Sequence, residues 1–228
     1  MAPNASWSFG ADVPKSFVEH VRRSVPLYDL GHDLVCELSD FFVHDGSVGY
    51  ELGVSTGELL GKLAKRSANK RAKWVGLDVE ESMIAEARIA LDGVGNAELH
   101  VGDAVLWDFE SADMIVSYYC LQFVPPKLRQ NLTNKIYASL NWGGCFVMFE
   151  KVRAGDARFQ DVTTSLYQDF KLKQRFTPAE IVAKARSLKG VLEPFSTQGN
   201  VDMLKRAGFV DVMTIMKYVS FEGFLAIK

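Results

Sequence analysis

The stretch 47–78, SVGYELGVSTGELLGKLAKRSANKRAKWVGLD, indicates the fold through the order of its patterns. SVGYEL (47–52) predicts a short strand that ends at a glycine, and TGELLGKLAKR (56–66) places its leucines on one face of a helix. KWVGLD (73–78) predicts a second strand. A strand, a tight loop, a helix and a strand form a unit whose two strands run parallel.

The same alternation continues along the chain. The patterns predict helices at 80–91, 126–140 and 201–209, and strands at 97–101, 112–119, 145–151, 211–218 and 223–228. Short strands that alternate with helices require right-handed crossovers, and such a sheet is covered on both faces. The sequence therefore predicts an α/β fold with a mostly parallel, seven-stranded sheet and helices on both faces.

Three segments lie outside this alternation. Residues 1–13, rich in Ala, Pro, Asn and Ser, are predicted to be a loose tail. Residues 14–44 predict two N-terminal helices separated by Pro26. Residues 156–193 look mainly helical and are interpreted as a cap on the sheet. A single domain over 1–228 is therefore expected.

Composition and charge exclude several classes of protein. With 48% hydrophobic and 24% charged residues, the chain is typical of a globular domain. The 26 basic and 28 acidic residues give a net charge of −2, which disfavours a nucleic-acid-binding protein. The three cysteines form no C-x-x-C pair and the four histidines have no ligand spacing, so no metal is predicted. No signal peptide and no apolar run of roughly 18 residues is recognised, so a cytoplasmic protein without membrane contact is expected.

The loop ELGVSTG (51–57) could belong to three kinds of site. A dinucleotide fingerprint, G-x-G-x-x-G, is disfavoured because Ser55 and Glu58 replace its second and third glycines. A hydrolase nucleophile elbow is disfavoured because only one strand precedes Ser55 and no histidine follows His100. The third kind is a loop that binds a ligand without a pyrophosphate.

Acidic residues end three successive predicted strands: Glu51, Asp78 and Asp103. Each acid alone is explained equally well as a cap of the next helix. Together they lie where open sheets bind ligands. This order resembles the acidic-x-Gly-x-small-x-Gly loop of class I S-adenosylmethionine-dependent methyltransferases. The resemblance implies that Asp78 accepts hydrogen bonds from the ribose and that Asp103 lies near the adenine.

Further motifs resemble one group within that superfamily, the carboxy-S-adenosylmethionine synthases of the tRNA wobble-uridine oxyacetate pathway. The matching segments include RRSVPLYDL (22–30), LQFVPP (121–126), LYQDFK (166–171) and KRAGF (205–209). The resemblance implies a Rossmann-like fold, a homodimer, and S-adenosylmethionine or its carboxylated form as the cofactor. In that group prephenate supplies the carboxyl carbon.

The resemblance also assigns site residues. The cofactor-binding positions fall on Tyr28, Glu51, Gly53, Val54, Ser55, Gly57, Asp78, Val79, Asp103, Ala104 and Tyr118. At the last of these, Tyr118 stands where the family has asparagine. The family's carboxylate-binding arginine follows a lysine in a K-R-S run, whereas this chain has Lys184-Ala185-Arg186-Ser187. Arg186 would take that role if the helix turned by one residue, about 100°.

Three residues are the catalytic candidates: Tyr118, Arg186 and Glu150. Tyr118 is expected to form an aromatic wall beside the sulfonium with Tyr28 and Tyr119, although core packing explains Tyr119 equally well. Glu150 ends the fifth strand of the parallel series and is expected either to act as a general base or to pair with Lys151.

The two departures make methyl transfer to a small-molecule acceptor the favoured prediction. Carboxy-S-adenosylmethionine synthesis from prephenate is the alternative, and a cofactor-binding partner subunit without catalysis is a third possibility. A homodimer with 156–193 at or near the interface is expected, with no direct contact to nucleic acid.

Overall fold

The computed structural model describes residues 13–228, with side chains from Phe17 onward, so the predicted tail lies outside the described residues except for its last residue. The helices are α1 (Val13–Ser24), α2 (Tyr28–Phe42), α3 (Glu58–Arg66), α4 (Glu81–Ala90), α5 (Pro126–Ser139), α6 (Ala157–Lys173), α7 (Pro178–Ser187) and α8 (Thr197–Ala207). The strands are β1 (Val48–Leu52), β2 (Lys73–Asp78), β3 (Ala97–Val101), β4 (Ala112–Tyr118), β5 (Leu140–Lys151), β6 (Asp211–Tyr218) and β7 (Phe221–Ile227). A 3₁₀ turn, Leu121–Phe123, follows β4.

The seven strands form one sheet in the order β3-β2-β1-β4-β5-β7-β6. Strands β1 to β5 are parallel, whereas β7 is antiparallel to both β5 and β6. The predicted α/β fold with a mostly parallel, seven-stranded sheet is confirmed. The strand order reverses between β1 and β4, and open sheets bind ligands at the carboxyl ends of the strands next to such a reversal.

Strand β5 shows why helices cover both faces of the sheet. Val147 and Phe149 belong to one buried cluster, with residues of α2 and α3, whereas Phe146 and Met148 belong to a second, with residues of α5 and α8. Successive side chains of a strand point to opposite faces, so a run of large apolar residues requires cover on both sides.

The start of β5 differs from its predicted position. The strand begins at Leu140, so that 141–144, predicted to be a turn, falls within its range. Gly143 donates its N–H to the Lys228 carbonyl at 2.8 Å, and Lys228 donates to the Gly144 carbonyl at 3.0 Å. The register with β4 shifts between Ala112 and Met114. An irregular start of β5, held by the last residue of the chain, thus replaces the predicted turn.

Side-chain caps define the helices of the cap segment, 156–193. The Asp156 carboxylate accepts a hydrogen bond from the Phe159 N–H at 3.0 Å and begins α6. Thr177 and Glu180 form a reciprocal capping box, with Pro178 in the first turn, and begin α7. A simpler N-cap begins α8 ahead of its predicted start, where the Ser196 hydroxyl accepts a hydrogen bond from the Gly199 N–H at 3.0 Å.

Helix α1 meets this cap segment through hydrogen bonds to two main-chain carbonyls. The Tyr167 hydroxyl donates to the Ser24 carbonyl at 2.9 Å, and Arg23 Nη2 donates to the Gln174 carbonyl at 2.9 Å. We call α1, α6 and α7 together the roof. None of the helices described over residues 13–228 combines the length and apolar character that a bilayer span requires.

Candidate active site

A cavity of about 750 Å³ lies between the carboxyl edge of the sheet and the roof. Its floor comes from residues that end or follow β1, β2, β3, β4 and β5, and its opposite wall comes from α1, α6 and α7. The volume falls within the range of small-molecule sites. Three parts of the wall differ in chemistry: a polar floor, an aromatic corner and a row of lysines.

The glycine loop forms the first part of the floor. Gly53 has φ +71°, and a Cβ there would lie 2.5 Å from Cys120 Sγ. Ser55 has φ +51° without being a glycine, a conformation that costs about 1–3 kcal/mol unless its surroundings hold it. The Ser55 N–H donates to Asp78 Oδ2 at 2.8 Å, which is the bond that holds it. At Gly53 the main chain itself, with no side chain, therefore lines the cavity.

Asp78 and Asp103 continue the floor. Besides the bond from Ser55, Asp78 accepts the Glu80 N–H on Oδ1 at 3.0 Å. Each oxygen has a second acceptor position, so the carboxylate can still receive a diol. Burial raises the pKa of Asp78 above its usual value, against the effect of its backbone hydrogen bonds. Asp103 accepts the Val105 N–H at 2.9 Å and lies exposed at the rim.

Glu51 is the buried acid of the floor. Its side chain is 3% exposed, and burial raises its pKa well above the usual value, while a backbone hydrogen bond at Leu60 acts in the opposite direction. Its Oε2 atom has no hydrogen-bond partner among the described residues. A buried oxygen that lines a cavity without a partner is suited to a donor from a ligand.

An aromatic corner adjoins the floor. The Tyr118 ring lies 5.4 Å from the Tyr28 ring and 4.9 Å from the Tyr119 ring, centroid to centroid. The Tyr118 hydroxyl donates to the Tyr28 carbonyl at 2.7 Å, so it is already engaged. Burial raises the pKa of all three phenols, which remain neutral at physiological pH. The three rings predicted to lie beside a sulfonium therefore lie together in the wall.

His32 belongs to the same corner and was not predicted from the sequence. Its ring lies 4.4 Å from the Tyr28 ring and 4.6 Å from the Tyr118 ring, and it is 1% exposed. Both ring nitrogens lack a hydrogen-bond partner among the described residues. Burial lowers its pKa to about 3, so the imidazole is neutral.

Three lysines from three elements form the other end of the wall. Lys151 ends β5, Lys171 lies on α6 and Lys184 lies on α7. We call these three residues the lysine wall. The sequence predicted no ligand contact for any of them, since a lysine inside a helical pattern is usually a solvated residue.

Two of the predicted catalytic residues do not line the cavity. Arg186 is absent from its wall, where Lys184 and Ala185 are present, so the one-residue rotation proposed for the helix does not occur. Glu150 is also absent, because alternation along β5 turns it away from Lys151. Of the three predicted catalytic residues, only Tyr118 therefore lines the cavity.

The buried Glu150 has a different neighbour. It is 2% exposed, and burial raises its pKa to about 8, while the positive charge of Arg129 lowers it. The Arg129 guanidinium donates to the carbonyls of Val124, Glu193 and Gln122. Arg129 therefore ties the 3₁₀ turn to α5 and acts on Glu150 only through its charge. The described contacts include no ion pair between Glu150 and Lys151.

The other predicted cofactor-binding positions occupy the floor. The cavity is lined by Tyr28, Glu51, Gly53, Val54, Ser55, Asp78, Val79, Asp103, Ala104 and Tyr118. Gly57 is not part of the lining. It has φ +79° and a Cβ would lie 3.1 Å from the Ala87 Cβ, so its role is to let α3 begin close to α4.

Comparisons with known proteins agree with this geometry. A family model described as a methyltransferase domain matches residues 50–144. The chain is 32% identical to the carboxy-S-adenosyl-L-methionine synthase of Staphylococcus epidermidis, with 97% of each chain covered. It is 34% identical to the protein of the same name from Sulfurimonas denitrificans, over 97% of this chain and 94% of that one.

Solved structures share the fold at low sequence identity. An O-methyltransferase family protein from Burkholderia thailandensis superposes with a TM-score of 0.66 at 16% identity, over 94% of this chain and 59% of that one. At this identity the likeness concerns the fold alone.

Proposed function

This chain belongs to the carboxy-S-adenosyl-L-methionine synthase family of S-adenosylmethionine-dependent transferases, and we propose that it carboxylates S-adenosylmethionine, with prephenate as the source of the carboxyl group. The observation that supports this reaction most directly is the likeness to the synthases over nearly the whole chain, roof included. The cationic end of the cavity supports it independently, because the reaction consumes an acid and forms a carboxylate.

The floor of the cavity fits the proposed cofactor. Asp78 would accept the ribose hydroxyls, Asp103 would lie at the adenine edge, and the free Oε2 of Glu51 would accept from the ammonium group. The bare backbone at Gly53 leaves the space that such a ligand needs. The rings of Tyr28, Tyr118 and Tyr119 offer π-faces to a sulfonium, an attraction of about 0.5–2 kcal/mol.

Bound there, S-adenosylmethionine would supply a methyl group in which a carboxyl group replaces one hydrogen. Prephenate would lose that carboxyl group and its ring hydroxyl and leave as phenylpyruvate, and the hydroxyl and the methyl proton would leave as water. The chain contributes position and charge. The aromatic corner would hold the sulfonium end, the lysine wall lines the same cavity, and the roof covers the side opposite the sheet. Neutral phenols and a neutral His32 place no competing positive charge beside the sulfonium.

Methyl transfer to a small-molecule acceptor is the second candidate function. It is favoured by the two departures from the family, Tyr118 and Ala185. The hydroxyl of Tyr118 is bonded to the Tyr28 carbonyl, and no arginine from the described residues lines the cavity. A methyltransferase needs no cation for a new carboxylate, so both departures would be harmless to it.

Mass spectrometry separates the two functions. The protein would be incubated with S-adenosylmethionine, with and without prephenate, and the nucleosides extracted. We expect the carboxylated cofactor only when prephenate is present, and none with Asp78→Ala. Absence of the carboxylated cofactor from a wild-type protein that binds S-adenosylmethionine would refute the proposal and leave methyl transfer.

A further inference from the structure

The lysine wall gathers three cations at one end of the cavity. Lys171 is 6% exposed, Lys151 is half-buried, and Lys184 is half-buried on the neighbouring helix. Lys151 Nζ lies 4.3 Å and Lys171 Nζ lies 5.3 Å from the centroid of the Tyr167 ring, so the two ammonium groups flank one aromatic ring. Three separate elements thus direct amines into the same part of the cavity.

No acid among the described residues is paired with Lys151 or Lys171, either through an ion pair or through a hydrogen bond. Burial, Lys171 and Arg153 lower the pKa of Lys151 to about 8, and burial and Lys171 lower the pKa of Lys184 to about 7. Burying like charges together is unfavourable, so the arrangement costs stability in the absence of a partner.

A purely structural role does not explain this cost. A buried lysine that only packs is usually paired with an acid or extends its amine into solvent. Here the amines line a cavity that already holds a polar floor, and aromatic rings lie beside them. An anion in the cavity would supply the missing charge.

We infer that the lysine wall is the binding site for the second substrate, and that Lys151, Lys171 and Lys184 recognise its carboxylates. This inference rests on the proposed function and names the residues that recognise the acid. Three cations match a dianion better than a monoanion, and Tyr167 and Phe221 line the cavity beside them. Lysines act here as point charges, whereas an arginine fork would bind one carboxylate with two bonds.

Two of the three wall lysines belong to helices that carry no cofactor-binding candidate. The cofactor-binding residues lie on the floor and in the aromatic corner, whereas Lys171 and Lys184 belong to the roof. Loss of a wall lysine should therefore weaken binding of the acid and spare binding of the cofactor.

Calorimetry with the full chain tests this inference. Prephenate would be titrated into protein saturated with S-adenosylhomocysteine, using wild type, Lys171→Met and Lys184→Met. Methionine keeps the length of the side chain and removes the charge. The matched control is Lys173→Met, which removes an exposed lysine from the same helix as Lys171.

We expect each wall variant to lose about ten- to a hundredfold in affinity for prephenate, and Lys173→Met to bind like wild type. Affinity for S-adenosylhomocysteine should stay unchanged in all three. Wall variants that bind prephenate as tightly as wild type, or a wild type that does not bind it, would overturn the inference. Failure of wild type to bind S-adenosylhomocysteine would instead overturn the proposed function. If Lys171→Met does not fold, Lys184→Met decides the question.

Discussion

Asp78 performs two tasks with one carboxylate. It holds the strained Ser55 through a backbone hydrogen bond, and it offers its remaining acceptor positions to the cavity. The acid that is proposed to bind the ribose therefore also shapes the loop beneath the ligand.

Replacing Asp78 by alanine is expected to weaken binding of S-adenosylhomocysteine by about 2–3 kcal/mol, because a charge-assisted contact with two hydroxyls is lost. Isothermal titration measures the change. Asp92→Ala, which removes an exposed acid, serves as the control and should bind normally. Unchanged affinity in folded Asp78→Ala would remove this residue from the site.

Ala185 and Arg186 provide a paired test of carboxylate recognition. Ala185 lines the cavity, so Ala185→Arg should bring the family's guanidinium to the site and raise affinity for the carboxylated cofactor relative to S-adenosylmethionine. Arg186→Ala should change neither affinity, because Arg186 does not line the cavity. A competition titration of the two cofactors gives both answers. A loss of carboxylated-cofactor binding in Arg186→Ala would contradict the placement of this residue.

Affinity for prephenate should depend on pH. Lys184 lies near Lys171 and His20, and its pKa is about 7. Lys151 lies near Lys171 and Arg153, and its pKa is about 8. Both amines therefore lose their charge as the pH rises. Burial and the positive charges of Lys184, Lys171 and Arg23 lower the pKa of His20 to about 4, Glu180 acting in the opposite direction, so His20 stays neutral above neutrality.

Binding needs the protonated amines, so affinity should be highest below the lysine pKa values and fall between about pH 7 and pH 9. A bound anion raises these pKa values, which moves the fall to higher pH in the complex. Calorimetry at several pH values measures it, with S-adenosylhomocysteine as the ligand whose affinity should stay level. A flat profile for prephenate would show that the two amines do not contact the acid.

At the residue scale, the sequence predicted the place of a side chain in the cavity when that residue ends a strand. Glu51, Asp78 and Asp103 follow successive parallel strands, and such ends necessarily meet at one edge. The residues of α7 could not be placed in this way. Which of Lys184, Ala185 and Arg186 faces the cavity depends on the phase of the helix, and a shift of one residue turns it by about 100°.

At the scale of an element, two glycines allow the cost of a positive φ to be measured apart from the cost of a steric clash. Gly53 and Gly46 both have positive φ, +71° and +79°. A Cβ at Gly53 would meet Cys120, whereas a Cβ at Gly46 would meet nothing within 4 Å.

Gly46→Ala should therefore lower the free energy of unfolding by about 1 kcal/mol through backbone strain alone. Gly53→Ala should lower it further and also weaken binding of S-adenosylhomocysteine by about tenfold or more, because the loop must move. Denaturant unfolding and calorimetry measure the two effects. Equal effects of the two substitutions would mean that contact with Cys120 does not position the loop.

Most element boundaries followed from local patterns, and the exceptions have tertiary causes. The residues Asn-Trp-Gly-Gly at 141–144 have the composition of a turn, yet they pair with the end of the chain through Lys228. A partner so distant in sequence leaves no local signal. For α8 the signal was local, since Ser196 is a usual N-cap residue, but the apolar period begins only after it.

At the scale of the whole molecule, α6 has two faces that differ in their surroundings. Tyr167 and Lys171 face the cavity, whereas Phe159, Val162 and Leu166 form an apolar row on the other side that is 62%, 52% and 49% exposed. Exposed apolar rows of this kind are typical of protein interfaces. The expected homodimer would bury this row.

Val162→Asp should dissociate that dimer, because a charge would be buried without a partner. Sedimentation at micromolar concentration should give twice 25.4 kDa for wild type and the monomer mass for the variant. Val210→Asp makes the same substitution at an exposed valine outside the row and should leave the dimer intact. A monomeric wild type would refute the expectation.

Hydrogen bonds that join α1 to the rest of the roof end on two main-chain carbonyls, those of Ser24 and Gln174. A main-chain carbonyl is present whichever side chain the position carries. Ser24 and Gln174 can therefore be substituted during evolution without loss of these hydrogen bonds, whereas Arg23 and Tyr167 cannot. Natural selection on the attachment of α1 to the roof would therefore act on the donor side chains, Arg23 and Tyr167, which need not touch the reacting carbon.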